Sequence, residues 1–211
     1  MPSAMRSTSR AGLAIPRLLR LFLLSRRVPT ALALLAGCGV AMQLATRVHW
    51  ISGTGVSSQA VPILIEGGAA LIVTVAARSP FGEVERAVGG RTPWLRLGAT
   101  LGLAAFAVLA LIVGAGPHGI LGGNLGILRS MAGLTGVAGL SAAVLAGPLA
   151  SAGPLLYLGI AEFGINAQWS SPWIWPCCPP HDRGAAITAA LALVAGLLAI
   201  ALRGARETTD Q

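Results

Sequence analysis

The sequence predicts an all-α, polytopic bundle of about six transmembrane helices with both termini in the cytoplasm. Three observations predict it. Of the 211 residues, 55% are hydrophobic and only 10% charged, with a mean hydropathy of +0.75, whereas a soluble domain carries about a quarter charged residues. Apolar runs recur at 29–46, 60–77, 97–116, 130–149, 153–166 and 185–202, most of them close to the roughly 20 residues that a helix needs to cross a bilayer. The arginines flank those runs unevenly. A chain of this length holds at most about seven such spans and no sizeable soluble domain. One membrane domain, 29–203, is therefore expected between a basic N-terminal segment, 1–28, and a cytoplasmic tail, 204–211.

All fifteen basic residues are Arg and none is Lys. With the N-terminus inside, Arg6, Arg10, Arg17, Arg20, Arg26, Arg27, Arg78, Arg86, Arg91, Arg96, Arg203 and Arg206 fall in the cytoplasm. Only Arg47, Arg129 and Arg183 fall outside, and twelve against three is the bias that sets membrane orientation. The net charge of +8 and pI near 11.4 thus point to anionic lipid headgroups. They do not point to nucleic acid, because the arginines form no single basic face. Absence of Lys also excludes a Walker A loop, whose Lys must reach the β/γ-phosphates. ATP could act on this chain only through a separate subunit. Abundant Ala, Gly and Leu with Arg in place of Lys is the composition of a GC-rich bacterial gene.

Residues 1–13 are polar, and Arg17–Arg27 places Leu18, Leu21 and Phe22 at helical spacing among arginines. This fits an interfacial amphipathic helix, or simply the charged flank of the first span. Within that span Leu35-Ala36-Gly37-Cys38 has the form of a lipobox, but the apolar run continues through Leu44, as a span does and a cleaved signal does not. The second run carries Glu66, followed by Gly67-Gly68. A carboxylate at membrane depth is costly and is a functional candidate by default.

Between the second and third runs, Ser79 is a good N-cap, Pro80 suits the first helical position, and Glu83 sits in the first turn, where the helix dipole favours it. Phe81, Val84 and Val88 share one face, and Gly89-Gly90 end the element. A short helix along the inner surface, 79–90, is expected, displaying Glu83, Glu85 and Arg86; the plainer reading is a loop that anchors two spans.

The stretch 117–166 is rich in Gly and Pro and accommodates either two full spans or a re-entrant pair. Gly133, Gly136 and Gly139, with Gly122 and Gly126 before them, form a small-residue pattern of the kind that lets helix backbones approach closely in lipid. Glu162 in the fifth run is a second carboxylate at membrane depth and a candidate on the same ground as Glu66, although its place near the outer end favours an interfacial position. The outer loop that follows offers Trp169, Trp173 and Trp175 to an aromatic belt. It also contains Cys177, Cys178 and His181, which are metal-ligand types. Adjacent cysteines followed by two prolines match neither zinc spacing nor a Cys-x-x-Cys redox pair, so these are weak candidates and a structural loop is expected. No Ser/His/Asp set and no phosphate-binding loop is visible, and His49, His118 and His181 all fall in outer loops. Neither enzyme activity nor a cofactor is expected.

The N-terminal interfacial helix, six spans, internal termini and helix in the first cytoplasmic loop resemble the permease subunit of a type-2 ABC exporter. More particularly, Ser79 to Arg86 and the run Arg129-Ser-Met-Ala-Gly-Leu-Thr-Gly136 resemble small actinobacterial permease-like membrane proteins. The resemblance covers most of the chain and is chiefly topological; the chain is short for the family. It implies a multi-pass protein of the cell membrane, with a coupling helix in which Phe81, Glu83, Val84, Glu85 and Arg86 contact a separate ATP-binding subunit. It also implies pairing with a second copy or a similar permease. The rival expectations are an ATP-independent transporter with Glu66 as its ion or proton site, and a structural membrane subunit that transports nothing. Cargo and direction are not legible in either case.

Overall fold

A computed structural model of the chain describes residues 28–48, 57–77, 92–116, 123–145, 147–167, 169 and 171–203. These residues form an all-helical bundle of six α-helices: α1 (Val28–Arg47), α2 (Ser57–Ala77), α3 (Thr92–Ala115), α4 (Gly123–Val144), α5 (Ala152–Asn166) and α6 (Arg183–Arg203). Two 3₁₀ turns, Gly147–Ser151 and Trp175–Cys177, lie before and after α5. Among the described residues, Val28–Arg47, Leu97–Ala115, Gly123–Val144 and Arg183–Leu202 are long and apolar enough to cross a membrane, and Ala60–Ala76 is a shorter apolar stretch within α2. The region 117–166 holds two separate helices, and the fourth begins at Gly123, seven residues before the run at 130–149 that the sequence marks.

α5 has fifteen residues, which at 1.5 Å each reach about 22 Å, short of a hydrocarbon core of about 30 Å. The five-residue 3₁₀ turn ahead of it adds about 10 Å at its steeper rise. α5 itself is thus shorter than the four helices that are long and apolar enough to cross a membrane. The Ser141 hydroxyl of α4 donates to the Ala150 carbonyl at 2.8 Å, so the turn is fastened where its own backbone bonding is poorest.

Large apolar side chains cover the outside of the bundle. Leu34, Val40 and Leu44 on α1, Leu109 and Val113 on α3, Leu155, Leu156 and Phe163 on α5, and Leu191, Val194 and Leu198 on α6 are all more than half exposed. Water would not tolerate so continuous a surface, and lipid requires it. α4 is the exception: 72% of its spanning window is buried, against 17% for α6. The other helices are arranged around it.

Two contacts of the same design organise the bundle. On α3, Ala110 and Gly114 embrace Gly39 of α1: a Cβ on Gly39 would lie 2.7 Å from the Ala110 oxygen, and one on Gly114 would overlap the Gly39 carbonyl. On α6, Ala192 and Gly196 embrace Gly136 of α4 in the same way, and Gly139 adds a further approach to the Gly196 carbonyl. In each half of the chain the third helix thus grips a glycine of the first through Ala-x-x-x-Gly. The middle helices meet each other, because Gly67 of α2 leaves room for the Leu158 side chain of α5. The small-residue pattern in α4 divides accordingly: Gly136 and Gly139 form the seam with α6, Gly133 lies elsewhere under an aromatic ring, and Gly126 meets nothing within 4 Å.

Gly136→Ala should destabilise the detergent-solubilised protein by about 1–3 kcal/mol, because the added methyl meets backbone that cannot rotate away. Gly159→Ala is the control, since a Cβ there meets nothing within 4 Å, and it should be neutral or stabilising by up to about 1 kcal/mol. Thermal unfolding of the two variants side by side checks the pair. Equal melting temperatures would remove the seam.

Candidate functional site

The connection from α5 to α6 contains Pro172, Pro176, Pro179 and Pro180, each of which removes a backbone donor while leaving its carbonyl. The segment does not stay at the surface. Ile174 and Trp175 are buried, and the indole lies against Gly133 of α4, where a Cβ would overlap the ring. Trp175 stacks on Tyr157 of α5 with centroids 4.4 Å apart and planes inclined by 20°. The Tyr157 hydroxyl donates to the Trp173 carbonyl at 3.1 Å, and Thr188 of α6 donates to that of Pro172 at 2.6 Å. Trp169 and Trp173 are exposed, as an aromatic belt requires, but Trp175 is 4% exposed and is a core residue. That corrects the reading of all three as belt residues: Gly133 and Tyr157 provide a slot which only the third indole enters.

A buried guanidinium holds this turn. Arg129, 8% exposed, donates through Nη1 to the Pro179 carbonyl at 2.7 Å and through Nη2 to those of Trp175 at 2.6 Å and Cys178 at 2.8 Å. Within the turn the Trp175 carbonyl also accepts the Cys178 N–H at 3.3 Å, and the Pro179 carbonyl accepts that of Asp182 at 3.0 Å, whereas the Cys178 carbonyl has no backbone donor among the described residues. Arg129 adds a second bond to the first two and gives the third its partner. Its placement outside with the loop arginines is therefore corrected: it lies inside α4, two turns from the start of that helix. Its Nε has no partner among the described residues.

One residue further along α4, Ser130 donates to the carboxylate of Glu66 on α2, and the Arg129 charge acts on the same carboxylate. Glu66 is 4% exposed and Ser130 5%. Beside them is a cavity of about 280 Å³, walled by Pro62 and Glu66 of α2, Gly126, Arg129 and Ser130 of α4, and the turn from Pro176 to Pro180. Gly126 keeps the α4 wall thin. The carboxylate sits where the two three-helix halves meet, α2 belonging to the first and α4 to the second, with polar groups from both facing one small space.

The other sequence candidates are dispersed. Glu162 on α5 is partly exposed, with one buried carboxylate oxygen that has no partner among the described residues; it does not reach the Glu66 cavity wall. Cys38, Cys177 and Cys178 are unpaired thiols. The Cys177 thiol points to the Ala161 carbonyl at 3.6 Å and the Cys178 thiol to that of Ser171 at 3.4 Å. His181 is exposed, and among the described residues no group of three or more His, Cys, Asp or Glu side chains is brought together to hold a metal ion. Phe81, Glu83, Val84, Glu85 and Arg86, with the whole helix expected at 79–90, lie outside the described residues.

Sequence reasoning identified Glu66 and missed its partners Arg129 and Ser130. The available signal was the apolar stretch Leu125-Gly-Ile-Leu128 ahead of Arg129, which carries the helix back past the charge.

Two outcomes test the turn. Burial pushes the Cys177 thiol up to about 11, and the neighbouring Cys178 and Glu162 add to the effect. Only the thiolate alkylates readily. In a Cys38→Ser, Cys178→Ser background, maleimide labelling of Cys177 should thus be slow at pH 7 and accelerate steadily as pH rises toward 11. Arg129→Leu removes all three bonds. The Trp175 and Pro179 carbonyls keep the N–H groups of Cys178 and Asp182, but the Cys178 carbonyl is left without a partner among the described residues, and stranding one buried carbonyl costs about 1–3 kcal/mol. Labelling at pH 7 should then rise at least several-fold as the turn loosens; an unchanged rate would deny Arg129 the clamping role. Compared with protein-family models, curated proteins and solved structures, the chain matches none.

Proposed function

We propose that this chain is the membrane-embedded subunit of a transport system, multi-pass in the cell membrane with both ends in the cytoplasm, and that its cargo or coupling ion engages Glu66. The observation that carries this reading is the Glu66 carboxylate facing Ser130 and Arg129 beside a cavity, at the meeting of two halves that repeat one helix-pairing design. Three spans per half turn the second half upside down relative to the first. Transporters built from such inverted halves place their sites between them and move by rocking one half against the other. An ionisable residue kept within lipid depth is expensive, and a pathway is the usual reason for keeping it. Twelve arginines on the cytoplasmic side of the expected topology, against Arg47 and Arg183 outside once Arg129 is counted within α4, support the orientation.

The energy source follows from the resemblance to ABC exporter permeases. In that reading a separate ATPase presses on residues 79–90, with Phe81, Glu83, Val84, Glu85 and Arg86 as its contacts, and the chain pairs with a second copy or a similar permease to complete the path. Without a partner ATPase, Glu66 serves as the proton or ion site of a small gradient-driven transporter.

Glu66→Gln keeps the size and hydrogen-bonding reach of the side chain while removing its charge. In proteoliposomes under an imposed pH gradient, it should abolish the proton flux that the native chain supports; equal flux in both would eliminate the gradient-driven reading. For the ATP-driven reading, affinity purification in mild detergent should bring down an ATP-binding protein with the native chain. Glu83→Arg with Glu85→Arg should break that association without altering the melting temperature, while Glu66→Gln should leave it intact. Association that survives the double reversal would sink the coupling role of 79–90.

A further inference from the structure

A second cavity, about 530 Å³, lies between the first turns of α4 and α6, and its composition differs from that beside Glu66. Leu125, Leu128 and Ala132 of α4 face Ala186, Ala190 and Leu193 of α6 across it. At one end stand His181, Asp182 and Arg183, with Arg129 shared between the two cavities. The size lies within the roughly 300–1,000 Å³ of small-molecule sites. Leu125, Leu128 and Ala190 are exposed on the bundle surface, so the apolar wall continues into the face that lipid covers.

The charge at the polar end is unbalanced. Asp182 uses Oδ1 to accept the Ala185 N–H at 3.0 Å, as the N-cap of α6. Arg129 is bonded to neutral carbonyls, and the carboxylate acting on it, Glu66, lines the other cavity only. The Arg183 side chain is exposed and makes no hydrogen bond or ion pair with any described residue. Two guanidinium groups against one carboxylate, at the mouth of an apolar slot beside a helix N-terminus, complement an anion that carries a hydrocarbon chain. A free inorganic anion would gain nothing from the wall, and an uncharged lipid nothing from Arg183.

We infer that this cavity binds one anionic glycerophospholipid, with its phosphate at Arg183 and an acyl chain along the α4–α6 wall. The inference stands apart from the transport reading: Arg129 borders both cavities, but the phosphate is assigned to Arg183, and neither Glu66 nor Ser130 lines this one.

The test is a titration of the delipidated, full-length chain in neutral detergent, read by native mass spectrometry. Phosphatidylglycerol and phosphatidylcholine with identical acyl chains are compared. One phosphatidylglycerol should bind about five-fold more tightly, the worth of one well-placed arginine near a headgroup. Arg183→Glu should level the two lipids, Ala190→Trp should weaken both by filling the slot, and Glu66→Gln should change neither. Inorganic phosphate and glycerol phosphate should compete poorly. Equal affinity of the native chain for the two lipids would overturn the inference, as would a preference surviving Arg183→Glu or free phosphate competing as well as the lipid. The comparison on the native chain decides the matter even where a variant folds poorly.

Discussion

Close approach of helix backbones is the constraint on which this bundle depends. Lipid is as apolar as leucine, so burying leucine between helices gains little there, and association relies on dense packing and polar contacts. The chain meets that condition with glycine at two crossings, Gly39 with Gly114 and Gly136 with Gly196. Each crossing leaves backbone against backbone and sets the separation from which the other contacts follow. α4 sits deepest because its seam with α6 and its faces toward α2 and α5 are all occupied.

From that position α4 performs three tasks within about two turns. Gly133 receives the Trp175 ring, Arg129 takes the carbonyls of the turn that carries it, and Ser130 reaches Glu66. The tasks support one another. Trp175 fills the volume that glycine opens, its descent draws backbone carbonyls below the surface, and Arg129 bonds them there, including that of Cys178, which has no backbone donor among the described residues. The guanidinium, in turn, acts on the Glu66 carboxylate from the neighbouring cavity wall. Two small cavities result, one lined by Glu66 and Ser130 and the other by Asp182 and Arg183, with Arg129 and Pro180 bordering both.

The six helices were legible in the sequence because each is a largely apolar run, four of them with the length a bilayer requires, and both properties are local. Glu66 was legible for the same reason, as a charge inside an apolar run. The start of α4 was not, because Asn124 and Arg129 lower the local hydropathy and the carbonyls that accommodate Arg129 lie about fifty residues away. The same distance hid the fate of Trp175: a tryptophan among prolines reads as an interfacial anchor until Gly133 and Tyr157 are seen to form its slot. Glycine spacing in α4 indicated a close contact without naming its partner, since Ala192 and Gly196 lie in a helix whose own composition is merely apolar. Residues 79–90 carry local helix signals in the sequence and lie outside the described residues.

The proline-rich turn has a consequence best put in the language of ion coordination. A segment with four prolines offers carbonyl oxygens in excess of amide hydrogens, and Trp175, Cys178 and Pro179 direct theirs at the two terminal nitrogens of one guanidinium. Rings of carbonyls converging in this way are how selectivity filters replace the water around a dehydrated cation. Here the carbonyls meet a guanidinium that cannot leave, because it is bonded covalently to α4. Arg129 is in effect a tethered cation among carbonyls, held by backbone oxygens as a free ion would be but unable to exchange.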